Sequence, residues 1–206
     1  MEFDKLLEIV GDEPVFRTGL LLAGDVDSVH IRRQLGRWVR AGKVYQLRRG
    51  LYSLAPPYQQ IKPHPFLIAN HLVRPSYVSL QSALAYYGLI PEYVPVTTSV
   101  TSARPQELAT PLGKYLFQRV KTERFFAFNM GDLGDGQSAY VAAPEKALLD
   151  LVYLQPGGDE ISFLRSLRLQ NLEGINPTSL KEIAQEYSSH KIEQAVENII
   201  LIKREE

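Results

Sequence analysis

The sequence predicts a mixed α+β protein in two parts, and three observations carry that reading. Short amphipathic helical patterns and one pair of alternating runs come first, and helices interleaved with longer β-rich runs follow. A proline-rich stretch at residues 55–65, APPYQQIKPHP, separates them; proline donates to neither a helix nor a central strand, so the stretch reads as a linker or crossover. Charge is segregated as well. Residues 1–27 hold seven acids and two bases, residues 28–91 nine bases and no acid, and residues 92–206 sixteen acids and twelve bases, so the stretches run −5, +9 and −4 beneath a net charge of zero. The predicted domains are residues 1–56 and 57–206.

Bulk composition narrows the class. An apolar content of 45% over 206 residues supports a real core. With no cysteine, disulfides and thiolate metal sites are excluded. The acidic start, MEFDKLLEIVGDE, has no signal-peptide apolar region, and no apolar run approaches the roughly 20 residues that span a bilayer. The expectation is a soluble, cytoplasmic protein with no membrane contact.

Element by element, Phe3, Leu6, Leu7 and Val10 fall at helical spacing in a first helix. A second is expected over residues 14–24, with Pro14 near its start and Gly24 at its end. A third follows from residue 28, with Asp27 or Ser28 as N-cap and Gly42 as its stop. On it Ile31, Leu35, Trp38 and Val39 share one face, while Arg33, Arg37 and Arg40 share another. KVYQL and LYSL then read as a hairpin joined by Arg48, Arg49 and Gly50, with Gly50 supplying a positive φ. Downstream, helices are expected at residues 64–73 and 79–89, the latter capped by Ser79. Strands are expected in PVTTSVTS, KYLFQRV, RFFAFNM and SAYVAA, and helices at 144–154, 161–169, 178–188 and 190–203.

Three helices followed by a basic-tipped hairpin describe a winged helix-turn-helix. In that class the second helix of the motif enters the major groove. Residues 28–41, roughly 20 Å of helix, would turn their apolar face inward and leave arginines for DNA. Arginine pairs bidentately with guanine and glutamine with adenine. The expected DNA-binding residues are Ser28, His30, Arg32, Arg33, Gln34, Arg37, Arg40 and Lys43, with Arg48 and Arg49 at the wing tip reaching the backbone or a narrow minor groove. The acid-free block has the electrostatic footprint of a polyanion site.

The segment LGRWVRAGKVYQLRRGLYSLA resembles the helix-then-wing signature of the AbiEi-like antitoxins, the regulator halves of type IV (AbiE) toxin–antitoxin systems. YVSLQSALAYYGLIPE (77–92) and VAAPEKALLDLVYL (141–154) resemble two marker segments of that family's second domain, and TTSVTSARP fits between them. The likeness runs from about residue 15 to residue 155. It implies a transcriptional repressor that binds inverted repeats in its own promoter. It also implies a nucleotidyltransferase-like toxin that the second domain counteracts without a stable complex. A stand-alone regulator, or a winged helix that binds protein or RNA, is the alternative. A single winged helix has a small footprint, so a monomer or weak dimer pairing on an inverted repeat is expected.

Pro144 suits the first turn of a helix and Glu145 its positive end; Ala147, Leu148, Leu151 and Val152 form an inward face, and Lys146 and Asp150 make an i, i+4 surface pair. Leu80, Ala83, Leu84 and Tyr87 read as core. Tyr86, Arg104, Arg119, Lys121 and Arg124 are candidates for a second binding face. No catalytic set is found. His64 and His71 have no acid near them in sequence, GDLGDG reads as a turn, and phosphate loop, nucleophile elbow and dinucleotide fingerprint are missing. The expectation is a non-enzyme with no metal and no cofactor.

Overall fold

Aspartate 27 starts the helix on which the sequence reading turns. Its carboxylate accepts a 2.8 Å hydrogen bond from the Val29 N–H, which caps α2 (Ser28–Arg40). At the other end Gly42 takes φ +70°, and the Lys43 N–H reaches back to the Trp38 carbonyl at 3.0 Å. The computed structural model describes residues 1–22 and 27–205, and in it the chain is a mixed α+β protein.

Around α2 lie α1 (Phe3–Val10) and an antiparallel sheet of β1 (Phe16–Arg17), β2 (Val44–Arg48) and β3 (Leu51–Leu54) in the order β1-β3-β2. Leu6, Val10, Phe16, Leu21, Ile31, Leu35 and Trp38 bury together in this part's own apolar cluster. The helix expected over residues 14–24 is absent: Phe16 and Arg17 pair with Tyr52 and Leu51, and Thr18–Leu22 is a 3-10 turn. The Thr18 N–H bonds to the Gly50 carbonyl at 3.1 Å, so strand pairing satisfies the backbone groups that a helix would have used. The expected helix end at Gly24 lies outside the described residues.

The proline-rich stretch is tied down on both sides. Gln59 donates to Ser53 Oγ and the Leu54 carbonyl, and Gln137 bonds both the His64 N–H and the Lys62 carbonyl. Beyond it stand α3 (Pro65–Leu72), β4 (Ser76–Val78), α4 (Leu80–Tyr86), β5 (Val96–Thr101), β6 (Gln106–Thr110), β7 (Gly113–Arg119), β8 (Phe128–Gly134) and β9 (Gln137–Ala142). The sheet order is β6-β7-β5-β4-β9-β8; β5–β7 and β4–β9 are parallel and the other pairs antiparallel. Central β5 is rich in threonine and serine yet buried from Thr97 onward. Two of its hydroxyls find carbonyl partners, Thr98 donating to the Ser79 carbonyl and Thr101 to the Pro75 carbonyl, while Ser99 Oγ is buried with no partner among the described residues.

Three strand expectations change. β4 and β6 are additional: β4 is a short buried strand between β5 and β9, and β6 is an edge strand whose side chains lie half-buried and exposed in alternation. β8 begins only at Phe128, because Thr122–Arg124 is a 3-10 turn and Ala127 takes φ +54°. β8 therefore runs on into GDLGDG, and Asp132 lies within it, accepting from the Gly134 N–H.

Helices α5 (Pro144–Leu154), α6 (Ile161–Ser166), α7 (Pro177–Tyr187) and α8 (His190–Glu205) complete the chain. α5 is buried all round from Glu145 to Val152, so the single inward face expected from its apolar spacing is corrected. Among the described residues, no helix is long and apolar enough to cross a membrane. The two parts also share apolar contact: Val15, Leu47 and Leu51 belong to the larger, C-terminal cluster.

Candidate nucleic-acid interface

The apolar side of α2 is inward, with Ile31 and Leu35 almost wholly buried and Trp38 at 8% exposure. Val39 is only half-buried, at the margin of that face. The opposite side carries Arg33, Arg37 and Arg40, with Arg32 at its flank, all four exposed. Arg37 leans on Gln34, its Nη1 3.5 Å from Oε1. No acid pairs with any of the four among the described residues, so their charge faces water. His30 is exposed and its Nε2 lies 3.3 Å from the N-terminal amine. Ser28 and Gln34 are half-buried at the helix flank. Four of the ten expected positions, His30, Arg33, Arg37 and Arg40, thus gather on one helical side with exposed side chains, flanked by Arg32 and Gln34.

The other basic positions divide. Lys43 turns back onto the first helix, its ammonium 4.4 Å from the Phe3 ring centre and 5.7 Å from that of Tyr58, a cation–π arrangement. Arg49 is exposed in the hairpin turn, where Gly50 takes φ +80° as expected. Arg48 does not reach out from the tip with it. A bulge between Gln46 and Arg48 re-aims the strand, and the Arg48 guanidinium donates at 2.5 Å to the Leu72 carbonyl at the C-terminal end of α3. Arg17 donates in the same way to the His71 carbonyl at 2.9 Å. Both cations complement the negative end of the α3 dipole.

Sequence reasoning missed Arg17, His71 and Arg74, which meet Arg48 and Arg49 around one cleft. Arg17 belongs to the acidic first stretch, and sequence separations of 54 and 24 residues hide its contact and that of Arg48 with α3. Burial and the charges of Arg74 and Arg17 push the His71 imidazole down to about 4, so it is neutral at pH 7. Of the proposed second face, Arg104, Arg119 and Lys121 are exposed. Tyr86 is also exposed and donates to the Asp132 carbonyl. Arg124 is removed from that face: it donates to the Tyr187 carbonyl and packs on the Tyr153 ring.

The pair Lys146–Asp150 forms as its spacing predicts, but in the interior: both side chains are 0% exposed, with 2.7 Å between them. Tyr77 and Ser79 donate to one Asp150 oxygen, and Tyr187 and Lys146 to the other. Ser79 is therefore a partner of Asp150, and its side chain does not cap α4. Lys146 also bonds the Tyr187 hydroxyl and the Arg124 carbonyl. Burial pulls the Lys146 ammonium down, opposed by the Asp150 charge, and pushes both tyrosine hydroxyls far up. Every charged oxygen has donors, so the cluster locks β4, α4, α5 and α7 together. Tyr87, read as core, is 37% exposed, its hydroxyl donating to the Ala142 carbonyl. His64 caps α3, its Nδ1 accepting from the Phe66 N–H. Among the described residues no cluster of three or more histidine, cysteine or acidic side chains could hold a metal.

No family model matches the chain, and no curated protein matches it.

Proposed function

We propose that the chain is a DNA-binding transcriptional autorepressor of the AbiEi-like type, with residues 1–56 acting as a winged helix-turn-helix. The observation that carries this reading is α2: four exposed arginines with no acid partner among the described residues, on a helix whose apolar side is fixed in a core cluster. Rigid presentation of guanidinium groups suits bidentate reading of guanine edges. Arg49 on the hairpin turn would meet a flanking phosphate. In this reading two copies occupy an inverted repeat, the protein works in the cytoplasm without catalysis, and residues 57–206 serve to counter a nucleotidyltransferase-like toxin encoded nearby. The marker segments at 77–92 and 141–154 support that last step.

Fluorescence anisotropy against the chain's own upstream DNA and a scrambled control, over a salt series, tests the reading. Neutralising about five phosphates gives a slope of log K against log salt near −4.5. Tighter binding to the native DNA with such a slope is expected. Equal or no binding to both DNAs overturns the repressor reading.

A further inference from the structure

Two hollows adjoin where the hairpin meets α3 and β4. The larger, about 740 Å³, is lined chiefly by apolar side chains including Phe125, Phe128, Met130 and Tyr140. Its volume is that of a small-ligand site. Met130 and Tyr140 face each other across β8 and β9 and remain about half exposed. Asn70 spends its oxygen on the Tyr140 N–H at 2.6 Å, while its amide nitrogen is buried without a partner; His71 Nδ1 is buried without a partner too. Orphaned polar atoms beside an apolar hollow are costly unless something fills it.

The smaller hollow, about 460 Å³, is ringed by Arg17, Arg48, Arg49 and Arg74, and His71 and Arg74 line both hollows. Among the described residues, no carboxylate lines either one. Carbonyl contacts of Arg17 and Arg48 hold two of the guanidinium groups in place. Their mutual repulsion is felt: burial first, then the charges of Arg74 and Arg48, lowers the Arg17 pKa. A cluster of fixed cations without a counter-charge is chemistry for a phosphate.

We propose that the two hollows are one binding site for a nucleoside phosphate. The base lies in the aromatic hollow against Phe128 and Tyr140, where Asn70 Nδ2 and the neutral His71 meet its polar edge. The phosphate lies on Arg74, with Arg17 and Arg48 behind it. This site uses none of the α2 arginines and does not depend on the DNA-binding reading.

Isothermal titration calorimetry of the full chain with AMP, GMP, CMP and UMP, with the corresponding nucleosides and with inorganic phosphate tests the proposal. Saturable binding of at least one nucleotide, tighter than its nucleoside and tighter than phosphate, is expected. Arg74→Gln should weaken the nucleotide about tenfold, as loss of a charged hydrogen-bond partner does. Tyr140→Ala should weaken nucleotide and nucleoside but not phosphate, and Arg33→Ala should change none of them. Thermal melting of each variant verifies that it is folded. Absence of saturation with all the nucleotides at millimolar concentration overturns the proposal, as does nucleotide binding unchanged by Arg74→Gln. If Arg74→Gln weakens DNA instead and no nucleotide binds, the cleft belongs to the DNA backbone and the proposal fails.

Discussion

The arginines of α2 and Lys146 of α5 are all cations on helices, and the protein treats them in opposite ways. Arg33 and Arg37 are exposed, and among the described residues no acid pairs with either, so folding draws little on their charge. Lys146 has no exposure at all and is enclosed by Asp150, Tyr187 and the Arg124 carbonyl. One region leaves its charge exposed; the other consumes its charge in holding elements together. A charged residue on a helix therefore carries no function by itself, and its neighbours decide which kind it is.

The comparison can be broken most forcefully at Asp150. Asp150→Ala leaves the Lys146 ammonium buried without its counter-charge, and a loss of about 3–5 kcal/mol in urea unfolding is expected. Next comes the exposed region. Arg33→Ala should leave unfolding free energy within about 0.5 kcal/mol of the parent, yet cost about 1–3 kcal/mol in specific DNA binding by anisotropy. A stability loss there, or none at Asp150, would erase the distinction. Ser79→Ala removes one of the donors to Asp150 and should cost about 1 kcal/mol in the same unfolding assay. The smallest effect is on pH dependence. An unfolded histidine protonates near 6.5 and folded His71 only near 4, so acid favours the unfolded chain. Its contribution is full above pH 6.5 and is lost as pH falls toward 4. His71→Asn should flatten the fall in melting temperature across that window relative to the parent.

Much of the N-terminal part was legible because its signals are local. Asp27 caps, Gly42 stops, and Ile31, Leu35 and Trp38 repeat at the helical period between them. The segment 14–24 was misread because two residues of pairing with Tyr52 and Leu51, some 35 positions away, outweigh a weak helical pattern. Lys146 and Asp150 look identical on paper whether inside or outside. Only the arrival of Tyr77 and Tyr187 from distant segments makes the pair interior. The arginine cleft was invisible for the same reason: Arg17, Arg48 and Arg74 are assembled by the meeting of the two parts, which no periodicity encodes.

Arg17 and Arg48 hold the C-terminal end of α3 through peptide carbonyls, with no side chain of residue 71 or 72 involved in either bond. Any amino acid presents that carbonyl. Whatever the packing of Leu72 in the core and the surroundings of His71 demand of those side chains, these two bonds ask for no matching change at 17 or 48. Covariation across related chains should be silent between these four positions, and only the side-chain contacts of Val15, Leu47 and Leu51 would register the joining of the two halves.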